Sequence, residues 1–175
     1  MDASFTNRLL SELGYFTNKK GIILLPPTDG DAIRTAEKKL DCMFSPQMAS
    51  FLTHYNGGRI FEITIKGVQS LGIKKIPKGL DILESNQILR TFDGWNPNWL
   101  EIGEDGFGNY YVVDVNRKLR NGEYPVVFVD HEAIGEKDAL MEYAAGYFDF
   151  ILKATGEMKR IYTPEGDLND LKTDC

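Results

Sequence analysis

Cysteine and histidine are scarce in this chain, with two of each in 175 residues. Cys42 and Cys175 form no CxxC pair and no metal-ligand spacing, which excludes a disulfide framework and a cysteine-based metal cluster. Cys42 reads as a small buried hydrophobe and Cys175 as part of a frayed end. Two free thiols favour a reducing compartment. Basic charge is also short: 20 Lys and Arg against 26 Asp and Glu leave a net charge of −6 and a pI near 5.0. Neutralising nucleic-acid phosphates needs clustered Lys and Arg, so nonspecific nucleic-acid binding is excluded. The apolar run Ile22-Ile23-Leu24-Leu25 is far below the roughly 20 residues of a membrane helix. The first residues, Met1 to Arg8, lack the charged-then-apolar pattern of a secretory signal. The expectation is a cytoplasmic protein that contacts neither membrane nor nucleic acid.

What is present is ordinary globular composition, 42% hydrophobic and 26% charged. That length and balance fit one domain able to bury its own core. Residues 1–27 read as an N-terminal extension, with a helix at 4–14 and an extended run at 21–25. Residues 28–156 form the main domain, and 157–175 a polar tail with a turn at Pro164 to Asp167. Thr28 is expected to cap a first helix carrying Ile33, Ala36 and Leu40 on one face. Ser45 and Pro46 open a second, with Met48, Phe51, Leu52 and Tyr55 buried and Asn56-Gly57-Gly58 as its stop. Residues 61–66 alternate as a strand with Glu62, Thr64 and Lys66 on the wet side. Val68–Leu71 reads as a further short strand and 74–79 as a basic loop. Asp81 begins a third helix. Val126 to Val129 is a central strand. Leu140, Ala144, Tyr147, Phe148 and Ile151 fit a last helix from about Asp138 to Gly156. This order does not alternate strand and helix, so the fold class is α+β, a largely antiparallel sheet with helices packed on it.

The most informative stretch is Leu100 to Val115. It holds four carboxylates (Glu101, Glu104, Asp105, Asp114) and three glycines in sixteen residues, with no Lys or Arg. A phosphate loop would need a helix after it, and here a strand follows. The spacing of oxygen ligands for an EF-hand is missing. His131, between Asp130 and Glu132, would share a strand with them and point away from both, so no zinc site forms. His54 faces solvent or satisfies a helix carbonyl. There is no Gly-x-Ser-x-Gly elbow and no cysteine set for a lowered pKa. Glu101, Asp105 and Asp114 are the only carboxylates placed to serve a hydrolase. Trp95, Trp99, Phe107, Tyr110 and Tyr111 gather around the acidic turn, where aromatic anchors with an acidic rim suit a protein interface.

Three features together resemble the SUKH superfamily, the Smi/Knr-type family. They are Ile33-x-x-Ala36-Glu37-x-x-Leu40 followed by Ser45-Pro46 and Asn56-Gly57-Gly58; Leu100 to Tyr111 ending at Asp114; and Tyr124-Pro125-Val126 leading to Asp130-His131-Glu132, with a closing aromatic run at Tyr147 to Leu152. The resemblance covers residues 28–154. It implies a non-enzymatic α+β binding domain without cofactor, metal or catalytic residues. Many bacterial members look like immunity proteins that neutralise a cognate polymorphic or contact-dependent toxin, often a nuclease or deaminase, and fungal relatives act as scaffolds in cell-wall signalling. The expected partner is therefore a toxin domain. The candidate contact residues are Trp95, Trp99, Glu101, Glu104, Asp105 and Asp114. A regulatory scaffold is the alternative, and a carboxylate hydrolase a third reading.

Overall fold

The computed structural model describes residues 3–17, 21–69, 75–136 and 139–169. Asp138, Cys175 and the segments around Leu71 and Lys74, for which expectations were stated, lie outside these residues. Local signals place most elements. Helix α1 (Ala3–Gly14) buries Phe5, Leu9 and Leu13 at helical spacing. Strand β1 (Ile22–Leu24) follows, then α2 (Gly30–Leu40). The cap of α2 is Asp29, not Thr28: an Asp29 carboxylate oxygen accepts from Ala32 N at 2.7 Å, while Thr28 is buried and its own N donates to Leu52 O. Helix α3 (Pro46–Leu52) starts where Ser45 and Pro46 place it, the Ser45 hydroxyl accepting from Met48 N at 3.2 Å.

Strands β2 (Gly58–Ile60) and β3 (Ile63–Ile65) form a hairpin. The expected strand at 61–66 is thus shorter, because Phe61 adopts φ 52° in the turn. Its supposed wet side is also wrong: Thr64 and Lys66 are buried. Helix α4 (Ile82–Leu89) is capped by Asp81, whose carboxylate accepts from Leu83 N. Strands β4 (Trp99–Glu104), β5 (Tyr110–Asp114), β6 (Val126–Val129) and β7 (Leu140–Ala144) come next, and α5 (Tyr147–Ile161) closes the described chain apart from its last turn.

The last helix corrects the sequence reading at both ends. Residues 140–144 pair with β6 as a strand, and Gly146 precedes α5 in extended conformation instead of lying inside it. Gly156, taken as the stop, lies within α5. The helix runs on because Met158 still buries against the core. Its first turn is closed from outside: a Gln47 carboxamide oxygen accepts from Phe148 N at 2.9 Å, and a Glu123 carboxylate oxygen in turn accepts from Gln47 N at 2.9 Å.

The seven strands lie in sequence order, each antiparallel to the next. One face carries Ile63, Ile65, Leu100, Ile102, Tyr111, Val113 and Val126 into a core closed by α1, α2, α3 and α5. The opposite face carries Trp99, Val112, Val127 and Val129 into a smaller cluster with Leu89 of α4 and Trp95. Helices on an antiparallel sheet make this an α+β fold. No helix among the described residues is long and apolar enough to cross a membrane.

Candidate functional site

Side chains alternate along a strand, so Glu101 and Glu104 should face opposite ways. They do not. The register between β4 and β5 shifts between Glu101 and Gly103: Glu101 pairs with Val112 and Gly103 with Tyr111, which leaves Ile102 as a bulge. The extra residue resets the alternation and puts both glutamates on the face under α4. There they meet Lys66. The Lys66 ammonium lies 2.9 Å from Glu101 Oε1 and 3.6 Å from Glu104 Oε1, and it donates to Gly79 O at 2.7 Å. Lys66 is 2% exposed and Glu101 0%. Buried ions persist only when paired and hydrogen-bonded. Helix α4 completes the pairing: Ser85 Oγ donates to Glu101 Oε2, and Asn86 holds the Glu101 backbone by both its N–H (2.8 Å) and its C=O (3.0 Å). Burial pushes the Glu101 carboxyl above its ordinary pKa, against the opposing pull of Lys66 and Ser85.

Beyond Glu104 the chain turns. Asp105 is consumed within the turn, its carboxylate accepting from Phe107 N, Asn109 N and Asn109 Nδ2 at 2.8–3.1 Å. Asn109 Oδ1 then accepts from His131 N at 3.2 Å and lies 3.0 Å from His131 Nδ1, tying the turn to the loop after β6. Gly106 (φ 70°) and Gly108 (φ 99°) supply the left-handed conformations this path requires. Between them the Phe107 ring is 75% exposed. The turn therefore holds a large aromatic in water on a braced backbone.

Phe107 lines a groove of about 700 Å3 with Tyr162, Ile161, Met158 and Leu168, and Glu62, Asp105, Glu157 and Arg160 contribute its polar groups. On the other side of the hairpin a smaller cavity of about 230 Å3 opens above Lys66 and Glu104. The β4–β5 turn is the ridge between the two depressions.

The six candidate contact residues separate accordingly. Trp95 and Trp99 are buried edge to face at 5.3 Å, and Trp95 packs likewise on Tyr110. Together with Glu101 they lie beneath the surface. Glu104 is 35% exposed and reaches the smaller cavity. Asp105 borders the groove, and the Asp114 carboxylate accepts from Asn116 N at 2.9 Å in a second turn. Glu101, Asp105 and Asp114 are each held in a structural bond, which weighs against the hydrolase reading. Sequence reasoning missed Lys66, Ser85 and Asn86. Lys66 at the end of a strand with Ile63 and Ile65 reads as solvated, and only the bulge in β4 shows otherwise.

Other reactive groups are quiet. The Cys42 thiol is half-buried, and burial pushes its pKa up to about 11 despite the nearby Arg90. A thiol so protonated is a poor nucleophile. Asp130, His131 and Glu132 are not on a strand: residues 131–133 form a 3-10 turn capped by the Asp130 carboxylate. His54 is exposed with Nδ1 2.9 Å from Ser50 O. Among the described residues no group of three or more His, Cys, Asp or Glu could hold a metal ion. Glu37, the acid of the first helix motif, accepts from Phe44 N at 2.8 Å and so closes the link between α2 and α3.

A sequence model of the SMI1 / KNR4 family (SUKH-1) matches residues 27–153. No curated protein matches the chain.

Proposed function

The chain belongs to the SMI1 / KNR4 family (SUKH-1), and from that premise we propose that it acts without catalysis, as an immunity protein that binds a cognate bacterial toxin domain of nuclease or deaminase type in the cytoplasm. The observation that carries this reading is Phe107. A large aromatic held in water on a braced turn, beside an apolar groove with acidic groups at its edge, has the make-up of a protein-binding anchor. The charge agrees. A chain of net charge −6 attracts a basic partner, as a nuclease that handles phosphate would be. The partner would seat on the hairpin ridge, with Glu104 and Asp105 at the contact and Trp95, Trp99 and Glu101 fixing the ridge from below.

The test is co-expression rescue against the polymorphic toxin domain encoded beside this gene, followed by calorimetric titration of the pair. Phe107→Ala is expected to weaken binding by about 2 kcal/mol or more, roughly thirty-fold, as truncation of a central aromatic anchor does. Glu104→Lys, which reverses a charge at the contact, is expected both to slow association and to weaken the bound complex. Wild-type affinity in Phe107→Ala would remove the ridge from the interface. Absence of any toxin gene in the neighbourhood would favour the scaffold reading.

A further inference from the structure

The smaller cavity carries chemistry that the ridge alone does not specify. Its floor is Lys66 and Glu104, one wall is Tyr110, and the lip is formed by Ile88 and Phe92 of α4 and the segment after it. Ile88 and Phe92 lie half in water although both are large and apolar. Lys66 cannot serve as an anion site here, because its ammonium already faces Gly79 O, Glu101 and Glu104. Glu101 balances its charge. That leaves Glu104, Asp81 and Glu84 against Lys78 around the opening, an excess of negative charge. Glu104 lies 3.6 Å from Lys66, beyond hydrogen-bond distance, so its carboxylate retains acceptor capacity toward the cavity. Tyr110 stands directly opposite Glu104 in the strand register, its hydroxyl pKa raised by burial and by the two glutamates.

A volume of about 230 Å3 is below the roughly 300 Å3 of pockets for drug-sized ligands and suits a single side chain. We infer that this cavity is an anchor pocket for one arginine side chain of the protein partner. The guanidinium would pair with the Glu104 carboxylate and stack against Tyr110 or Phe92, and its methylene stem would lie along Ile88. A planar cation with a forked donor set matches a carboxylate beside aromatic faces better than an ammonium does. The inference rests on the reading that the chain works by binding protein, but its test needs no toxin.

The probe is Nα-acetyl-arginine methylamide, titrated into the 15N-labelled full chain and followed by amide shifts. The neutral isostere Nα-acetyl-citrulline methylamide and the lysine derivative serve as comparisons. Saturable shifts at Ser85, Ile88, Glu104 and Tyr110 are expected with the arginine probe. Loss of the charge-assisted bonds should weaken the citrulline probe, and the Glu104→Gln variant toward arginine, by about ten-fold or more. Unchanged shifts of the Phe5, Leu9 and Phe150 amides in that variant would show that the fold is intact. No shift around the cavity, equal binding of citrulline, or tighter binding of lysine would each overturn the arginine assignment. Toxin rescue with a silent arginine probe would sink this pocket alone, and arginine binding with no partner found would leave the pocket standing while the immunity reading fell.

Discussion

Lys66→Met is expected to destabilise the fold by about 3–5 kcal/mol, measured by urea unfolding. The side chains are close in length, so little packing volume is lost. What is lost is the cation that makes the burial of Glu101 tolerable. Glu101 has no route to water on the face under α4, where it is 0% exposed. The companion variant is Lys66→Met with Glu101→Met. Replacing both ions removes the uncompensated charge, and such replacements are often near neutral. The double variant should therefore be more stable than the Lys66→Met single, by at least about 2 kcal/mol in the double-mutant cycle. If the single change were silent, or the double no better than the single, the pair would not constrain the fold. The pH dependence has a definite sign. In Lys66→Met the Glu101 carboxyl keeps its desolvation and loses its opposing cation, so its folded pKa lies further above the ordinary 4.5 than in the native chain. The folded state then binds more protons than the unfolded one. Stability falls as pH rises through that window, and the deficit is larger near neutrality than in mild acid.

Leu9→Ala is expected to cost about 2–5 kcal/mol, and Leu10→Ala next to it less than about 0.5 kcal/mol. The two residues carry the same side chain one position apart on α1. Leu9 is fully buried in the main core, and Leu10 is exposed. An N-terminal appendage would tolerate both changes. Instead α1 packs against α5: the Phe5 ring stacks on Phe148 with centroids 3.7 Å apart, and Glu12 pairs with Lys159 at 2.8 Å. Thr17 N donates to Pro164 O at 2.7 Å beyond the far end of α5. Strand β1 joins the sheet by pairing with β2. Both elements lie ahead of the residues matched to the family, yet the core is shared with them. Thermal unfolding of the two variants would separate the cases, and equal melting temperatures would show α1 to be dispensable.

Local chemistry was legible in the sequence. Ser45-Pro46 opens α3 and Asp81 opens α4, because a cap and its helix lie within three residues of each other. The β4–β5 hairpin was legible too, because Gly106 and Gly108 bound a turn that both strands flank. What could not be read is whatever depends on a distant partner. The Glu123 and Gln47 oxygens that close α3 and α5 are separated from their N–H donors by 76 and 101 residues. Strand β7 read as helix because Leu140, Ala144, Tyr147 and Ile151 satisfy helical spacing. As an edge strand half in solvent, β7 shows no firm alternation, and only pairing with β6 fixes it. The burial of half the candidate contact set was hidden for the same reason. Trp95, Trp99 and Glu101 looked like surface groups until α4 and the Ile102 bulge were in place.

The strictly sequential order of the seven strands has a kinetic meaning. Every strand pairs with its neighbour in the chain, so β2–β3, β4–β5, β5–β6 and β6–β7 close short loops, while β1–β2 and β3–β4 close over the helices that lie between them. The docking of α1 on α5 closes a loop spanning most of the chain, and it belongs late on the folding path. Conservative changes in β4 and β5, such as Val113→Ala, should slow folding, whereas Leu13→Ala in α1 should chiefly speed unfolding. The N-terminal helix would then act as the latch on a sheet already assembled, and stopped-flow chevrons with the reverse pattern would put it in the nucleus instead.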